Sequence, residues 1–225
     1  MAGAAPTLVL DLDGTLVDTA GDLVATLNVI LGNEGLPPLA FDRARGFIGH
    51  GAKAMLEAGL AAAGVTASSQ RVTTLFDAFL VYYSEHIADH SQAFPGAVAA
   101  LDRFAADGWR LAICTNKLEG LSRELLVALG IADRFAAIAG QDTFGVRKPD
   151  PRHLTETIIR AGGDPTAAIM VGDSEIDVAT ARAAALPVVG VTFGYSPVPM
   201  TELRPDRVID HFDELYESAT ALRAR

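Results

Sequence analysis

Short apolar runs alternate with amphipathic stretches along most of this chain. Residues 7–12, 110–115, 136–139, 168–171, 188–191 and, more weakly, 208–209 read as buried strands. Residues 97–106, 121–129, 154–161 and 176–184 carry apolar side chains at three- and four-residue spacing, the helical period, and a last helix is predicted over 212–222. Strands that are apolar throughout, rather than alternating, are covered on both faces. Such an order predicts βαβ units: an α/β fold with a Rossmann-like parallel sheet core and helices on both faces.

Residues 19–89 break this rhythm. They show helical pattern over 22–31, a break at Gly35-Leu36-Pro37-Pro38, a short helix around 42–45, and the loop Gly49-His50-Gly51. Helices over 52–63 and 69–86 follow, and no strand pattern intervenes. The expected organisation is an α/β core domain of residues 1–18 and 90–225. An all-helical cap, residues 19–89, is inserted after the first strand, above the carboxyl edge of the sheet. Phe94-Pro95-Gly96 ends the return linker.

Composition narrows the function. Of 225 residues, half are hydrophobic and 20% are charged, enough apolar material for one main domain with an insertion. The net charge of −10 argues against sequence-independent binding to nucleic acid or to an anionic membrane. No run reaches the ~20 apolar residues of a membrane span. The single cysteine, Cys114, excludes an intrachain disulfide and reads as a buried small hydrophobe. The N-terminal stretch has no basic region and leaves no room for a signal peptide before the first strand, so a reducing cytoplasm is expected.

Four segments carry candidate chemistry. Asp11-Leu12-Asp13-Gly14-Thr15-Leu16 follows an apolar run directly, so two acids stand at a strand's carboxyl end, where open α/β sheets bind ligands. Carboxylates that close repel unless a cation or donors hold them. Thr115-Asn116-Lys117 ends the second strand of the core ahead of a helix, a place suited to phosphate. In Lys148-Pro149-Asp150-Pro151 the first proline disfavours helix at Lys148, freeing its ammonium to reach inward. Gly172-Asp173-Ser174-Glu175-Ile176-Asp177 follows another apolar strand, with Asp173 and Asp177 on one side of a helix start. A turn would explain Asp13-Gly14 but not Asp11, capping would explain Thr115-Asn116 and one acid of 173–177 but not three, and Lys148 could simply be solvated; the order and spacing of the four together are more specific.

In combination these motifs resemble the haloacid dehalogenase-like hydrolase superfamily over essentially the whole chain. The run from Asp11 to Leu23, Ile48-Gly49-His50-Gly51 and Val191-Thr192-Phe193-Gly194-Tyr195 look most like its phosphoglycolate phosphatase branch. The chain departs from that branch at Gly21, His50, Gln141 and Asp150, none of them a catalytic position.

The resemblance implies a phosphatase for a small phosphorylated metabolite, 2-phosphoglycolate first. It makes Asp11 the nucleophile that forms an aspartyl-phosphate and Asp13 the acid and then base. Thr115, Asn116 and Lys148 would bind substrate through its phosphoryl group, and Gly49, His50 and Gly51 of the cap would bind the remainder. Mg²⁺ would be held by the Asp11 side chain, the Asp13 carbonyl and the Asp173 carboxylate, with Asp177 behind them orienting a metal-bound water or Lys148. Asp13 excludes dehalogenation, whose leaving halide needs no proton. A pyrophosphatase, a sugar-phosphate phosphatase or a phosphomutase could use the same scaffold. A phospho-Asp switch is disfavoured by the chain's length and by the helical insertion. Monomer and homodimer are both compatible with the sequence.

Three other features carry less. Gly46 to Lys53 lacks the lysine placement and preceding strand of a phosphate loop. His86 and His90 could pair on a helix only if it ran past Ala88, and solvated surface is the expectation. His153 and His211 are expected in capping or surface roles, and Trp109 at the core's edge.

Overall fold

The structure, a computed structural model, describes residues 5–223; residues 1–4, part of the uncharged N-terminal stretch, lie outside them. Strand β1 (Thr7–Leu10) is followed by a short strand β2 (Val17–Asp18). Helices α1 (Ala20–Asn33), α2 (Phe41–Arg45), α3 (Ala52–Ala62) and α4 (Ser69–Glu85) come next, with a 3-10 turn at Ile48–His50. The chain returns through β3 (Gln92–Ala93) and then alternates: α5 (Ala97–Ala106), β4 (Arg110–Cys114), α6 (Glu119–Ala128), β5 (Ala137–Ala139), α7 (Pro151–Arg160) and β6 (Ala168–Gly172). It ends with α8 (Glu175–Ala183), β7 (Val188–Val191), α9 (Met200–Leu203), β8 (Arg207–Ile209) and α10 (Leu215–Arg223).

Six strands form one parallel sheet in the order β5-β4-β1-β6-β7-β8. Among themselves these strands run 3-2-1-4-5-6 in chain order, the doubly wound arrangement. The order reverses between β1 and β6, where Leu10 stands in register with Val171. A crevice opens at the carboxyl end of such a switch point.

The apolar runs are continuous because both faces are covered. Leu8, Leu10, Ile113 and Val171 join one cluster with Leu101 and Phe104 of α5 and Leu215 of α10. Val9, Ala112 and Met170 join another with Leu154 and Ile158 of α7 and Val178 of α8. Trp109 is 7% exposed and meets Phe104 edge-on at 5.0 Å, at the edge of the core. Cys114 is fully buried, and burial pushes its thiol up to about 12, so it is inert filling. Among the described residues no helix is long and apolar enough to cross a membrane.

Helices α1 to α4 lie between β2 and β3, which pair antiparallel through Val17 with Ala93 and Asp18 with Gln92. This ribbon and the four-residue α9 show no sequence period because they are too short to have one. Asp22 in the first turn of α1 closes the junction: its buried carboxylate accepts from the amides of His90 and Ser91 and from the Ser91 hydroxyl. Helix α4 stops at Glu85, His86 pairs with Asp89 at 2.7 Å, and the His90 amide is taken by Asp22, so the two histidines form no pair. His211 caps the turn Phe212–Glu214, accepting from the Asp213 amide at 3.2 Å.

His153 departs from expectation. It is fully buried, with Nε2 3.0 Å from the Gly140 carbonyl oxygen. Burial and the nearby Lys148 charge push it down to about 4, so it is a neutral core residue.

Candidate active site

Asp11 stands one residue beyond β1, and its amide donates to the Val171 carbonyl at 2.9 Å, fixing it at the switch point. Its Oδ1 accepts from the Leu12 amide at 2.7 Å and faces the Lys148 ammonium at 2.9 Å. Oδ2 is thereby the open side of the carboxylate. Gly14 then turns the chain at φ 82°, a conformation that side chains disfavour. A Cβ there would also come within 2.6 Å of Asp173 Oδ2, so the position has room for hydrogen alone.

Thr115 follows β4 in the same way, its amide donating to the Ala139 carbonyl at 3.0 Å. Its hydroxyl oxygen accepts from the Lys117 amide at 3.2 Å, leaving the proton free to donate into the crevice. Lys148 is 2% exposed, with Nζ 2.6 Å from Asp177 Oδ1. Burial alone would lower its pKa, but the Asp11 and Asp177 charges outweigh that and hold it raised. The Lys148-Pro149 peptide is cis. Asn116 was expected at the substrate, yet its side chain is spent on the Lys148 main chain: Oδ1 accepts from the amide at 3.0 Å and Nδ2 donates to the carbonyl at 3.2 Å.

Asp173 follows β6 and is 3% exposed. Its Oδ1 accepts from the Thr15 hydroxyl at 3.1 Å and its Oδ2 from the Tyr195 amide at 2.7 Å. Asp177 lies one helical turn on, fully buried, in a capping box with Ser174. Its Oδ2 takes the Ser174 amide at 3.1 Å and hydroxyl at 2.6 Å, so with Lys148 on Oδ1 both oxygens are committed.

Oxygens of Asp11, Asp173 and Asp177 lie within 4.8 Å of one another. One ammonium cannot balance three carboxylates. Burial pushes Asp11 up to about 7, against the pull of Lys148 and with the push of Asp177. Burial, then Asp177 and Asp11, push Asp173 up to about 8. An all-oxygen, charge-deficient cluster is what a hard divalent cation needs, and Asp11 and Asp173 have the free lone pairs for it. The residues present therefore fit Mg²⁺.

Asp11, Asp13, Thr115 and Lys148 open on a cavity of about 150 Å³ whose opposite wall is the helical segment, through Gly49, His50, Gly51, Lys53, Phe79 and Tyr83. The Gly49 turn thus faces the sheet edge, as its glycines suggested; a Cβ on Gly49 would lie 3.8 Å from Ser174 Cβ. His50 is exposed at the rim.

Sequence reasoning gave Lys117 no role. Its side chain is 6% exposed and bridges sheet edge and helices. Nζ lies 3.1 and 3.4 Å from the two Asp13 carboxylate oxygens, 2.8 Å from the Tyr83 hydroxyl and 4.4 Å from the Tyr83 ring centroid. Burial works to lower its pKa, and Asp13 and Tyr83 together, by charge and hydrogen bond, more than reverse this. Thr19 adds a hydroxyl donor to Asp13 at 2.8 Å. The available signal was a lysine two residues after the strand-end Thr115; Tyr83, in the middle of a helical pattern, gave none.

Residues 8–191 match the family model for haloacid dehalogenase-like hydrolases. The chain belongs to that family. Two curated relatives of this haloacid dehalogenase-like hydrolase are named phosphoglycolate phosphatase. One, from Mesorhizobium japonicum, is 49% identical over 93% of this chain and 92% of its own. The other, from Caulobacter vibrioides, is 44% identical over 96% and 91%. Among solved structures, a predicted phosphoglycolate phosphatase from Haemophilus somnus superposes with a TM-score of 0.89 at 27% identity, covering 96% of this chain and 99% of that one. In this hydrolase Asp11, Thr115 and Asp173 come from three different strand ends, and Lys148 from the loop ahead of α7, to one place, with Asp13 beside them.

Proposed function

We propose that this hydrolase is a Mg²⁺-dependent phosphatase that converts 2-phosphoglycolate to glycolate and phosphate through an aspartyl-phosphate on Asp11. The chain is a phosphoric monoester hydrolase by its family and relatives. The observation that carries the mechanism is the convergence of Asp11, Lys148 and Asp173 at the switch point, where Asp11 and Lys148 line a cavity whose other wall includes residues 49–51. In this reading residues 19–89 act as the cap over a core of 1–18 and 90–225, and the enzyme works in the cytoplasm.

Asp11 Oδ2 attacks phosphorus in line, and the bond from phosphorus to the leaving alcohol breaks. Asp13 gives the alcohol its proton, then takes one from the water that cleaves the aspartyl-phosphate, and phosphate leaves. Lys148 has three donors; one meets Asp177, one faces Asp11, and the third is free for a phosphoryl oxygen, next to the Thr115 hydroxyl. Asp11, the Asp13 carbonyl and Asp173 would hold Mg²⁺, which when bound would supply positive charge against the phosphoryl oxygens. Asp177 keeps Lys148 aimed, and Asn116 keeps its main chain in place.

The test is a kinetic panel of phosphorylated metabolites with Mg²⁺. The highest kcat/KM is expected for 2-phosphoglycolate. A higher value for pyrophosphate or a sugar phosphate would reassign the substrate, and no hydrolysis of any ester would remove the phosphatase reading.

A further inference from the structure

We propose that Arg45, at the end of α2, is a positioning residue for Asp173, acting through the one peptide group that joins Gly194 to Tyr195. The inference rests on the reading of Asp173 as a metal ligand and goes beyond it, because it makes the metal site depend on the seating of the cap.

Arg45 Nη2 donates to the Gly194 carbonyl at 2.8 Å and to the Phe193 carbonyl at 3.3 Å. The Gly194 carbonyl and the Tyr195 amide are the two ends of a single planar unit and point in opposite directions. The Tyr195 amide is the group that donates to Asp173 Oδ2 at 2.7 Å. A guanidinium from α2 and a carboxylate from the sheet edge therefore grip the same rigid plate from its two sides. A charged donor on the carbonyl also polarises the peptide and strengthens the bond its amide makes.

The surroundings leave this plate little freedom. A Cβ on Gly194 would collide with the Asp173 side chain, and one on Gly14 would come within 2.6 Å of Asp173 Oδ2 and 2.8 Å of the Tyr195 ring. The far end of Tyr195 is tied to the start of α1. Its hydroxyl donates to Asp18 at 2.6 Å and accepts from the amides of Thr19 at 2.6 Å and Ala20 at 3.0 Å. The Arg45 guanidinium lies 5.0 Å from the Tyr195 ring centroid. Residues 193–195 are thus where α2, the start of α1 and the Asp173 carboxylate meet. Seating the cap delivers Arg45 to this turn and fixes the orientation of Asp173 in the same event.

The test is Mn²⁺ binding to the full-length protein, followed by the EPR signal of the free ion without substrate, beside the melting temperature of the metal-free protein. Arg45→Met keeps the aliphatic stem and removes the donors. Loss of a partner that orients a ligand typically costs ~10–100-fold in metal affinity, and one bond further away roughly three- to tenfold is expected. Arg45→Lys, with one donor group kept, should fall between Arg45→Met and wild type. Should Arg45→Met fail to fold, Arg45→Gln is read by the same criterion. A simple adhesive role would lower the melting temperature and leave Mn²⁺ affinity alone. Affinity within threefold of wild type in a folded variant overturns the proposal. If the wild type binds no Mn²⁺ at all, the metal reading of Asp173 fails, and the proposal with it.

Discussion

Lys117 donates to the Tyr83 hydroxyl at 2.8 Å, joining the loop after β4 to helix α4 directly beside Asp13. The same ammonium is the only charged partner of the Asp13 carboxylate among the described residues, so the proposed acid is held by a bridge that includes the cap. Breaking one side of a buried charge pair leaves the other uncompensated. Lys117→Met is expected to lower kcat by about ten- to a hundredfold, a part of the ~10²–10⁴ that positioned proton transfer contributes. Tyr83→Phe keeps the ring and should cost less. Steady-state kinetics on an alkyl phosphate check both, and an unchanged kcat in Lys117→Met would release Asp13 from this bridge.

Asp11→Asn should abolish turnover while leaving the fold intact. The amide is nearly isosteric but cannot form the aspartyl-phosphate, and loss of a reacting group costs several orders of magnitude. The measurement is turnover of the pure variant together with its circular dichroism spectrum. One tenth of wild-type activity would be incompatible with a covalent step on Asp11.

Metal and pH should be linked in stability. Without a cation, Asp11 and Asp173 sit near 7 and 8, against about 3.8 in an unfolded chain. At these two groups the folded state then binds more protons than the unfolded state across that interval, so their contribution to metal-free stability falls as pH rises from about 4 to about 8. Mg²⁺ binds the native carboxylates and reverses this, and it competes with fewer protons at high pH. The rise in melting temperature from EDTA to Mg²⁺ should therefore be larger at pH 8 than at pH 6. Equal rises would speak against carboxylate ligation. EDTA should also silence turnover, with Mg²⁺ restoring it and Ca²⁺ doing so poorly, because the larger ion tolerates looser geometry.

In the proposed reading, discrimination between esters comes from residues 19–89, since the groups at the sheet edge would face the phosphoryl unit common to all of them. His50 lies at the cavity rim on the turn that faces Ser174. His50→Ala should reduce kcat/KM for a carboxylated substrate by roughly ten- to a hundredfold, the ~1.5–3 kcal/mol of a contact to a charged group. A small aryl phosphate should be much less affected. Equal losses on both would take the His50 side chain out of substrate recognition.

The sequence by itself determined the sheet and the residues at its edge. The strands are long enough, and apolar enough on both faces, for their pattern to be local. Asp11, Thr115 and Asp173 are marked because a polar side chain ends an apolar run, which is also where pairing stops and the crevice begins. Helices α1 to α4 were legible from their period, and the turn at 49–51 from its glycines.

Only the tertiary structure decided what closes the site. Lys117 and Asp13 are 104 positions apart, Lys117 and Tyr83 34, and Arg45 and Gly194 149. Nothing in a window of the chain couples them, and a lysine or an arginine in a polar stretch has the same local pattern whether it is solvated or bridging. His153 shows the converse, since its place near a helix start suggested a capping or surface role while the fold buried it against the Gly140 carbonyl. Side chains that work along one element leave a period or a cap in the sequence. Those that work between elements acquire a partner only when the chain folds, because burial and charge pairing across a gap are properties of the packed molecule.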